Sequence, residues 1–62
     1  RLPENVREAF ELNRFQNLTY NEIAERLGVS PKTIDYRIQQ ALKQLRIDLK
    51  EYLTLLLPFL LH

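Results

Sequence analysis

The chain has 62 residues, a formal net charge of +1, no cysteine and a single histidine at its last position. A chain of this length forms one small domain, and without cysteine it has neither a disulfide framework nor a thiolate metal site. It carries no signal peptide and no apolar run of the roughly 20 residues that a membrane span needs, so we expect a cytoplasmic location. Because it begins with Arg1 rather than methionine, we expect it to be part of a longer protein.

The first predicted helix begins at Pro3, whose missing N–H needs no partner in a first helical turn. It is expected to end near residues 13 and 14. The side chains expected to face inward, at helical spacing, are Val6, Ala9, Phe10 and Leu12. Phe15 and Leu18 should then anchor the connection to the next helix, with Asn17 in a left-handed turn.

The second predicted helix begins with a capping box formed by Thr19 and Glu22. Gly28 ends it, because glycine adopts the left-handed backbone at little cost. The side chains expected to face inward are Tyr20, Ile23, Ala24 and Leu27. The small side chain of Ala24 lets the next helix cross closely, and Ile34 turns inward to lock that crossing. This spacing predicts a helix-turn-helix motif of the kind found in DNA-binding proteins.

The third predicted helix begins with Ser30 as its N-cap and Pro31 in its first turn. Its apolar stripe consists of Ile34, Ile38, Ala41, Leu42, Leu45 and Leu49. Neither glycine nor proline interrupts the sequence before Pro58, so the helix is expected to reach at least Leu45 and to extend as far as Tyr52. The sequence therefore predicts a small all-α domain of three to four helices containing a helix-turn-helix motif.

The polar face of the third helix is the candidate DNA-binding surface. At about 100° per residue, one group of side chains points away from Ile34 and Ile38. These side chains are Lys32, Thr33, Tyr36, Gln39, Gln40 and Lys43. Glutamine can bond the adenine edge in two places, and lysine reaches guanine or phosphate. Without the preceding turn motif, the same pattern would describe a solvated helix surface.

Four more residues have two interpretations or a supporting role. Asp35 either accepts a hydrogen bond from cytosine or complements the positive end of the helix. Arg37 either binds phosphate or pairs with a glutamate of the first helix. Ser30 caps the helix, and the backbone N–H groups beside it can also hold a phosphate. Arg14, at the end of the first helix, is a further candidate phosphate contact.

The basic side chains concentrate in the second half of the chain. Residues 1–28 carry four basic and five acidic side chains, whereas residues 29–62 carry five basic and three acidic ones. The excess is mild, and non-specific DNA affinity grows with the number of phosphate contacts. We therefore expect weak DNA binding by this domain alone, and a partner that holds it near the duplex.

Several segments resemble region four of bacterial RNA polymerase sigma factors, most closely the extracytoplasmic-function group. The matching segments are Leu2-Pro3, Arg7-Glu8-Ala9-Phe10, Phe15 through Ala24, Leu27-Gly28-Val29-Ser30, Thr33-Ile34 and Ala41-Leu42. The resemblance implies docking on a flap of the polymerase β subunit and reading of the promoter −35 element of double-stranded DNA by the second motif helix. The reading residues that it implies are Lys32, Thr33, Asp35, Tyr36, Gln39 and Gln40, supported by Ser30 and Arg37.

A LuxR-type response-regulator output domain is the alternative within DNA binding. Its recognition helix commonly begins with a sequence close to Ser30-Pro31-Lys32-Thr33-Ile34-Asp35. Such domains usually open with Leu-Thr rather than with the Leu-Pro of this chain, and they end with a fourth, dimerising helix. The sigma-factor interpretation is therefore favoured.

Residues 52–62 form an apolar tail after the predicted helix-turn-helix domain of residues 1–51. The tail has three interpretations. It is a fourth helix that folds back on the core, an exposed patch that binds polymerase, an anti-sigma factor or a second copy, or a contact with a membrane surface. The first interpretation would pack Leu49, Leu53, Leu56 and Leu57. Pro58 is expected to break or bend any helix there. The second would also suit a protein-interaction module without a DNA role.

The patterns of catalytic sites are missing from the sequence. It contains no nucleophile–base pair, paired catalytic carboxylates, glycine-rich phosphate loop or metal-ligand spacing. Glu22 and Glu25 stand three residues apart, but the cap explains the first and solvent exposure the second. We therefore expect no enzymatic activity and no cofactor.

Overall fold

The computed structural model of the chain describes residues 2–60, which form three α-helices. Helix α1 spans Glu4–Phe15, α2 spans Tyr20–Leu27 and α3 spans Pro31–Leu60. The predicted all-α class is confirmed, with three helices rather than four in the described range. The molecule measures 50 × 18 × 16 Å because α3, with 30 residues, extends far beyond the other two helices. Within residues 2–60, no helix has the length and apolar character needed to cross a bilayer.

The predicted ends of α2 are confirmed. The Thr19 hydroxyl accepts a hydrogen bond from the Glu22 amide at 3.1 Å, and the Thr19 amide donates to the Glu22 carboxylate at 2.8 Å. Gly28 follows the helix with φ of 71°, and the Val29 amide donates to the Ala24 carbonyl at 3.0 Å. Local hydrogen bonds therefore fix both the length of α2 and the direction in which the chain leaves it.

The connection between α1 and α2 differs from its prediction at one residue. Asn17 is left-handed, with φ of 59°, as expected. Phe15, however, ends α1 with its side chain 75% exposed, so it anchors nothing. Leu18 is half-buried against the core, and its carbonyl accepts a hydrogen bond from the Asn13 side chain at 2.9 Å. The reason is that α1 continues through Phe15, and this turn of the helix points the ring away from the inward stripe.

The core lies where the three helices meet. Its buried side chains are Val6, Ala9 and Leu12 from α1, Ile23 and Ala24 from α2, and Ile34, Ile38 and Ala41 from α3. The three largest fully buried side chains are isoleucines, one from α2 and two from α3. The alanines let the helices approach closely, as predicted for Ala24. Burial of Ile34 and Ile38 fixes the rotation of α3 about its own axis.

The second half of α3 extends beyond the core, and three expectations about this segment are wrong. Leu45 and Leu49, predicted to be part of the buried stripe, are 40% and 59% exposed because α1 and α2 do not extend that far. Pro58 lies inside α3 rather than ending it. Having no N–H, Pro58 cannot donate to the Thr54 carbonyl, and the helix ends two residues later at Leu60. A fourth helix folded back on the core is therefore wrong for the described residues, whereas Leu61 and His62 lie outside them.

Deleting the chain after Glu51 should leave the domain folded. Among residues 2–60 no buried core side chain lies beyond Ala41, and all but one of residues 51–60 are exposed. We expect the free energy of unfolding to change by no more than about 1 kcal/mol. Thermal unfolding of dilute protein, followed by circular dichroism, measures this change. Loss of the cooperative transition in the truncated chain would show that the tail belongs to the core.

Candidate nucleic-acid interface

The first turn of α3 is held by Ser30. Its hydroxyl accepts a hydrogen bond from the Thr33 amide at 3.1 Å, and its carbonyl accepts one from the Ile34 amide at 3.2 Å. The hydroxyls of Ser30 and Thr33 also bond to each other at 3.0 Å. This cap rigidly joins the turn after α2 to the start of the candidate recognition helix.

The predicted polar face of α3 lies opposite the core. Because Ile34 and Ile38 point into the core, residues about 180° away from them point outward. The exposed candidate residues are Ser30, Lys32, Asp35, Tyr36, Gln39, Gln40 and Lys43. Thr33 and Arg37, at the edges of this face, are half-buried. The structure thus brings the predicted residues together on one side of α3, over about four turns of helix.

Tyr36 and Gln40 form a pair at the middle of this face. The Gln40 amide nitrogen donates a hydrogen bond to the Tyr36 hydroxyl at 2.8 Å. Gln40 keeps one N–H and its carbonyl oxygen for an outside partner, which are the two groups that a bidentate contact with adenine requires. The Tyr36 hydroxyl keeps its own proton to donate. The pair therefore presents an oriented amide rather than a freely rotating one.

The basic side chains of this face are available for phosphate. Lys32, Arg37 and Lys43 form no ion pair within residues 2–60. The interpretation of Arg37 as a partner of a glutamate in α1 is therefore not observed. In α1, Glu4 pairs with Arg7 instead, and this hydrogen bond raises the pKa of Arg7.

Arg46 is a further candidate residue that the sequence analysis did not select. It is exposed one turn beyond Lys43, at an edge of the same face. Arg46 stands three residues after Lys43 and seven after Gln39, and in a helix this spacing places the three side chains on one face. The spacing has this meaning because α3 is continuous through this region. Arg46 extends the basic face toward the C-terminal half of the helix.

Asp35 and Arg14 are both exposed. Asp35 is exposed and forms no hydrogen bond with the first turn of α3 in the described part of the chain. The Arg14 guanidinium lies 5.6 Å from the centroid of the Phe10 ring, a cation–π distance that holds the side chain against α1. Both remain predicted DNA contacts.

A family model and a related protein both indicate similarity to sigma factors. The matching family model is Sigma-70, region 4, which aligns with residues 1–45. RNA polymerase sigma factor SigZ of Bacillus subtilis is 48% identical over 48 residues, covering 73% of this chain and 27% of that protein. The chain therefore spans about a quarter of the length of this relative. No solved structure matches the chain significantly.

The matched span contains α1, α2, the turn between α2 and α3, and every candidate residue predicted on the polar face of α3. It ends at residue 45, where α3 leaves the core. The match thus covers the packed helix-turn-helix domain and most of the chain. This chain belongs to the sigma-70 region 4 family.

Proposed function

We propose that the chain is the DNA-binding domain of an alternative sigma factor of the extracytoplasmic-function type. In this role it recognises the promoter −35 element and directs RNA polymerase to initiate transcription. The family itself consists of promoter-recognising, non-enzymatic DNA-binding domains of transcription factors. The observation that carries the finer proposal is the exposed polar face of α3, held in a fixed rotation by Ile34 and Ile38.

The dimensions of α3 suit the major groove. An α-helix with its side chains is about 10–12 Å wide, and the major groove is about 12 Å wide. In a helix-turn-helix protein the N-terminal part of the second motif helix contacts base edges while the first crosses the backbone. In this arrangement the oriented amide of Gln40 contacts adenine, and Lys32 contacts guanine or phosphate. Asp35 accepts from the amino group of cytosine.

The remaining candidate residues support this docking. Arg37, Lys43 and Arg46 lie along α3 where phosphates flank the groove, and phosphate contacts fix register rather than sequence. Thr33 and Gln39 add hydrogen-bonding groups next to the base-contacting residues. Ser30 contributes through its cap, which takes up the Thr33 and Ile34 amides and leaves the Lys32 amide at the start of α3 for a phosphate.

The modest charge of the domain favours binding through a tether. Few basic side chains face the DNA, so the isolated domain should bind weakly and with a shallow salt dependence. RNA polymerase, contacted through the flap of its β subunit, would hold the domain near the promoter. A tether of this kind provides an effective concentration in the millimolar range. The proposal thus places the chain in the cytoplasm with core polymerase and promoter DNA as partners.

Footprinting with and without core polymerase tests this function. The full-length protein carrying this chain is incubated with genomic promoter fragments, with bacterial core polymerase present or omitted. The proposal predicts protection of a −35 region that requires polymerase. Equal protection without polymerase would instead identify a LuxR-type regulator that binds DNA by itself.

Changing Tyr36 to phenylalanine should weaken promoter binding about two- to tenfold, the contribution of one hydrogen bond. The variant keeps the ring but removes the hydroxyl that orients Gln40. The loss should fall on one base pair, so discrimination at that position decreases while contacts elsewhere are kept. Tyr52→Phe, an exposed tyrosine farther along α3, is the matched control. Anisotropy of labelled promoter DNA with the holoenzyme measures both variants, and equal affinities would contradict this role of Tyr36.

The apolar tail is proposed as a surface for a further protein. An anti-sigma factor and a second copy of the chain are the partners that the sequence suggested. An anti-sigma factor would compete with polymerase for the domain, so its addition should reduce transcription in proportion to its concentration. The geometry of α3 supports the second copy more directly.

A further inference from the structure

The C-terminal half of α3, residues 45–60, exposes a large apolar surface. Nine large apolar side chains in this segment are at least 40% exposed. They are Leu45, Ile47, Leu49, Tyr52, Leu53, Leu55, Leu57, Phe59 and Leu60. They project together from one helical segment, whereas monomeric soluble proteins normally expose large apolar side chains singly. Such a surface indicates an interface.

Five apolar side chains of this segment are separated by four, three, four and three residues, which is the spacing of a coiled-coil seam. We call them the tail stripe, and they are Leu45, Leu49, Tyr52, Leu56 and Phe59. At 100° per residue, Leu45 and Tyr52 lie within about 20° of Ile34 around the axis of α3. The tail stripe therefore continues the core face of α3 past the point where α1 and α2 end.

We propose that the tail stripe pairs with the tail stripe of a second copy in an antiparallel arrangement. Every copy carries the same seam, and a two-fold axis at Tyr52 places Leu45 opposite Phe59 of the second copy. Residues 45–60 of the second copy would lie on the same side of α3 as α1 and α2, but along the C-terminal half of the helix, where α1 and α2 are absent. The projecting segment is about 24 Å long, which is enough for two tails to overlap fully.

The fold itself selects the antiparallel direction. Ile34 and Ile38 hold α1 and α2 on the same face of α3 that carries the tail stripe. In a parallel pair, both sets of α1 and α2 would therefore lie between the two α3 helices and collide. In an antiparallel pair, the two helix-turn-helix domains lie at opposite ends.

The size of the interface predicts a reversible dimer. Two overlapping segments of residues 45–60, one from each copy, would bury on the order of 1,000 Å² in total. This area is near the lower limit for specific interfaces. Interfaces of this size support concentration-dependent association rather than permanent dimers. We therefore expect the pair to dissociate on dilution.

Sedimentation equilibrium of the chain over a wide concentration range tests the pairing, without DNA or polymerase. Leu49→Glu places a charge in the tail stripe. Ile47→Glu is the matched control, because Ile47 is on the same helix and 42% exposed but lies away from the stripe. We expect the wild type and Ile47→Glu to reach twice the monomer mass and Leu49→Glu to bind at least about tenfold more weakly. Circular dichroism verifies that both variants remain folded.

Single cysteines test the direction, since the chain has none of its own. In a mixture of Leu45→Cys and Phe59→Cys chains, oxidation should link the two variants to each other, and Leu45→Cys alone should not crosslink. The proposal is overturned by a wild type that stays monomeric, by association that Leu49→Glu does not weaken, or by crosslinking of Leu45→Cys to itself. These assays contain no promoter, so their outcome is independent of the proposed function.

Discussion

Replacing Ile38 with alanine should lower the free energy of unfolding by about 2–5 kcal/mol. Ile38 is fully buried and packs in the cluster that joins all three helices, so truncation leaves a cavity where they meet. A domain of this size has a total stability of roughly 3–9 kcal/mol. The variant should therefore be largely unfolded at moderate temperature, and Ile34→Ala should behave in the same way.

Thermal and urea unfolding, followed by circular dichroism, measures this effect. Ile47→Ala is the matched control, because it makes the same chemical change at a position of α3 that is 42% exposed. It should change the free energy of unfolding by about 0.5 kcal/mol or less. If Ile34→Ala and Ile38→Ala both kept the wild-type melting temperature, α3 would be rotated differently about its axis. The assignment of its DNA-binding face would then be wrong as well.

Gln40→Ala and Lys32→Ala should each reduce promoter-dependent transcription about fivefold to a hundredfold. This range corresponds to the roughly 1–3 kcal/mol that a specific side-chain contact with a base provides. Both side chains are exposed, so the melting temperature should remain nearly unchanged. If Lys32 contacts phosphate, its removal should also reduce the salt dependence of binding by about 0.9 in the logarithmic slope.

Transcription by the reconstituted holoenzyme, with melting curves of the same variants, measures this effect. Gln16→Ala and Lys50→Ala are the matched controls. Gln16 follows α1, and Lys50 lies about 27 Å along α3 from Lys32, beyond the reach of the same groove segment. Both controls should transcribe like the wild type. A large fall in the melting temperature of Gln40→Ala or Lys32→Ala would show that these residues are structural, and transcription equal to that of the controls would remove them from the interface.

Local signals explain why most of the domain could be predicted from the sequence. The capping box of Thr19 and Glu22 and the left-handed Gly28 each depend on a few neighbouring residues, so the sequence contains all the information that they need. The burial of Ile34 and Ile38 follows from one helical period anchored by that turn. The outward face of α3 is then a geometric consequence.

Features that depend on distant packing could not be predicted in the same way. The apolar stripe of α3 continues through Leu45 and Leu49 without any change in period, although α1 and α2 no longer cover it there. Periodicity reveals an apolar face but does not identify what covers it. The prediction that Phe15 anchors the connection to α2 was wrong for a similar reason. The direction of its ring depends on where the last turn of α1 ends, and the sequence pattern does not fix that end. The rule that proline breaks a helix did not hold at Pro58, since α3 continues to Leu60.

Run-off transcription tests the central claim most directly. The full-length protein is combined with bacterial core polymerase and genomic promoter fragments, and the −35 region of a responsive promoter is then changed one base pair at a time. We expect transcripts that depend on the protein and decrease when bases of the −35 element are replaced. Transcripts that tolerate every −35 substitution would contradict promoter reading by α3, and an absence of protein-dependent transcripts would contradict a sigma-factor role.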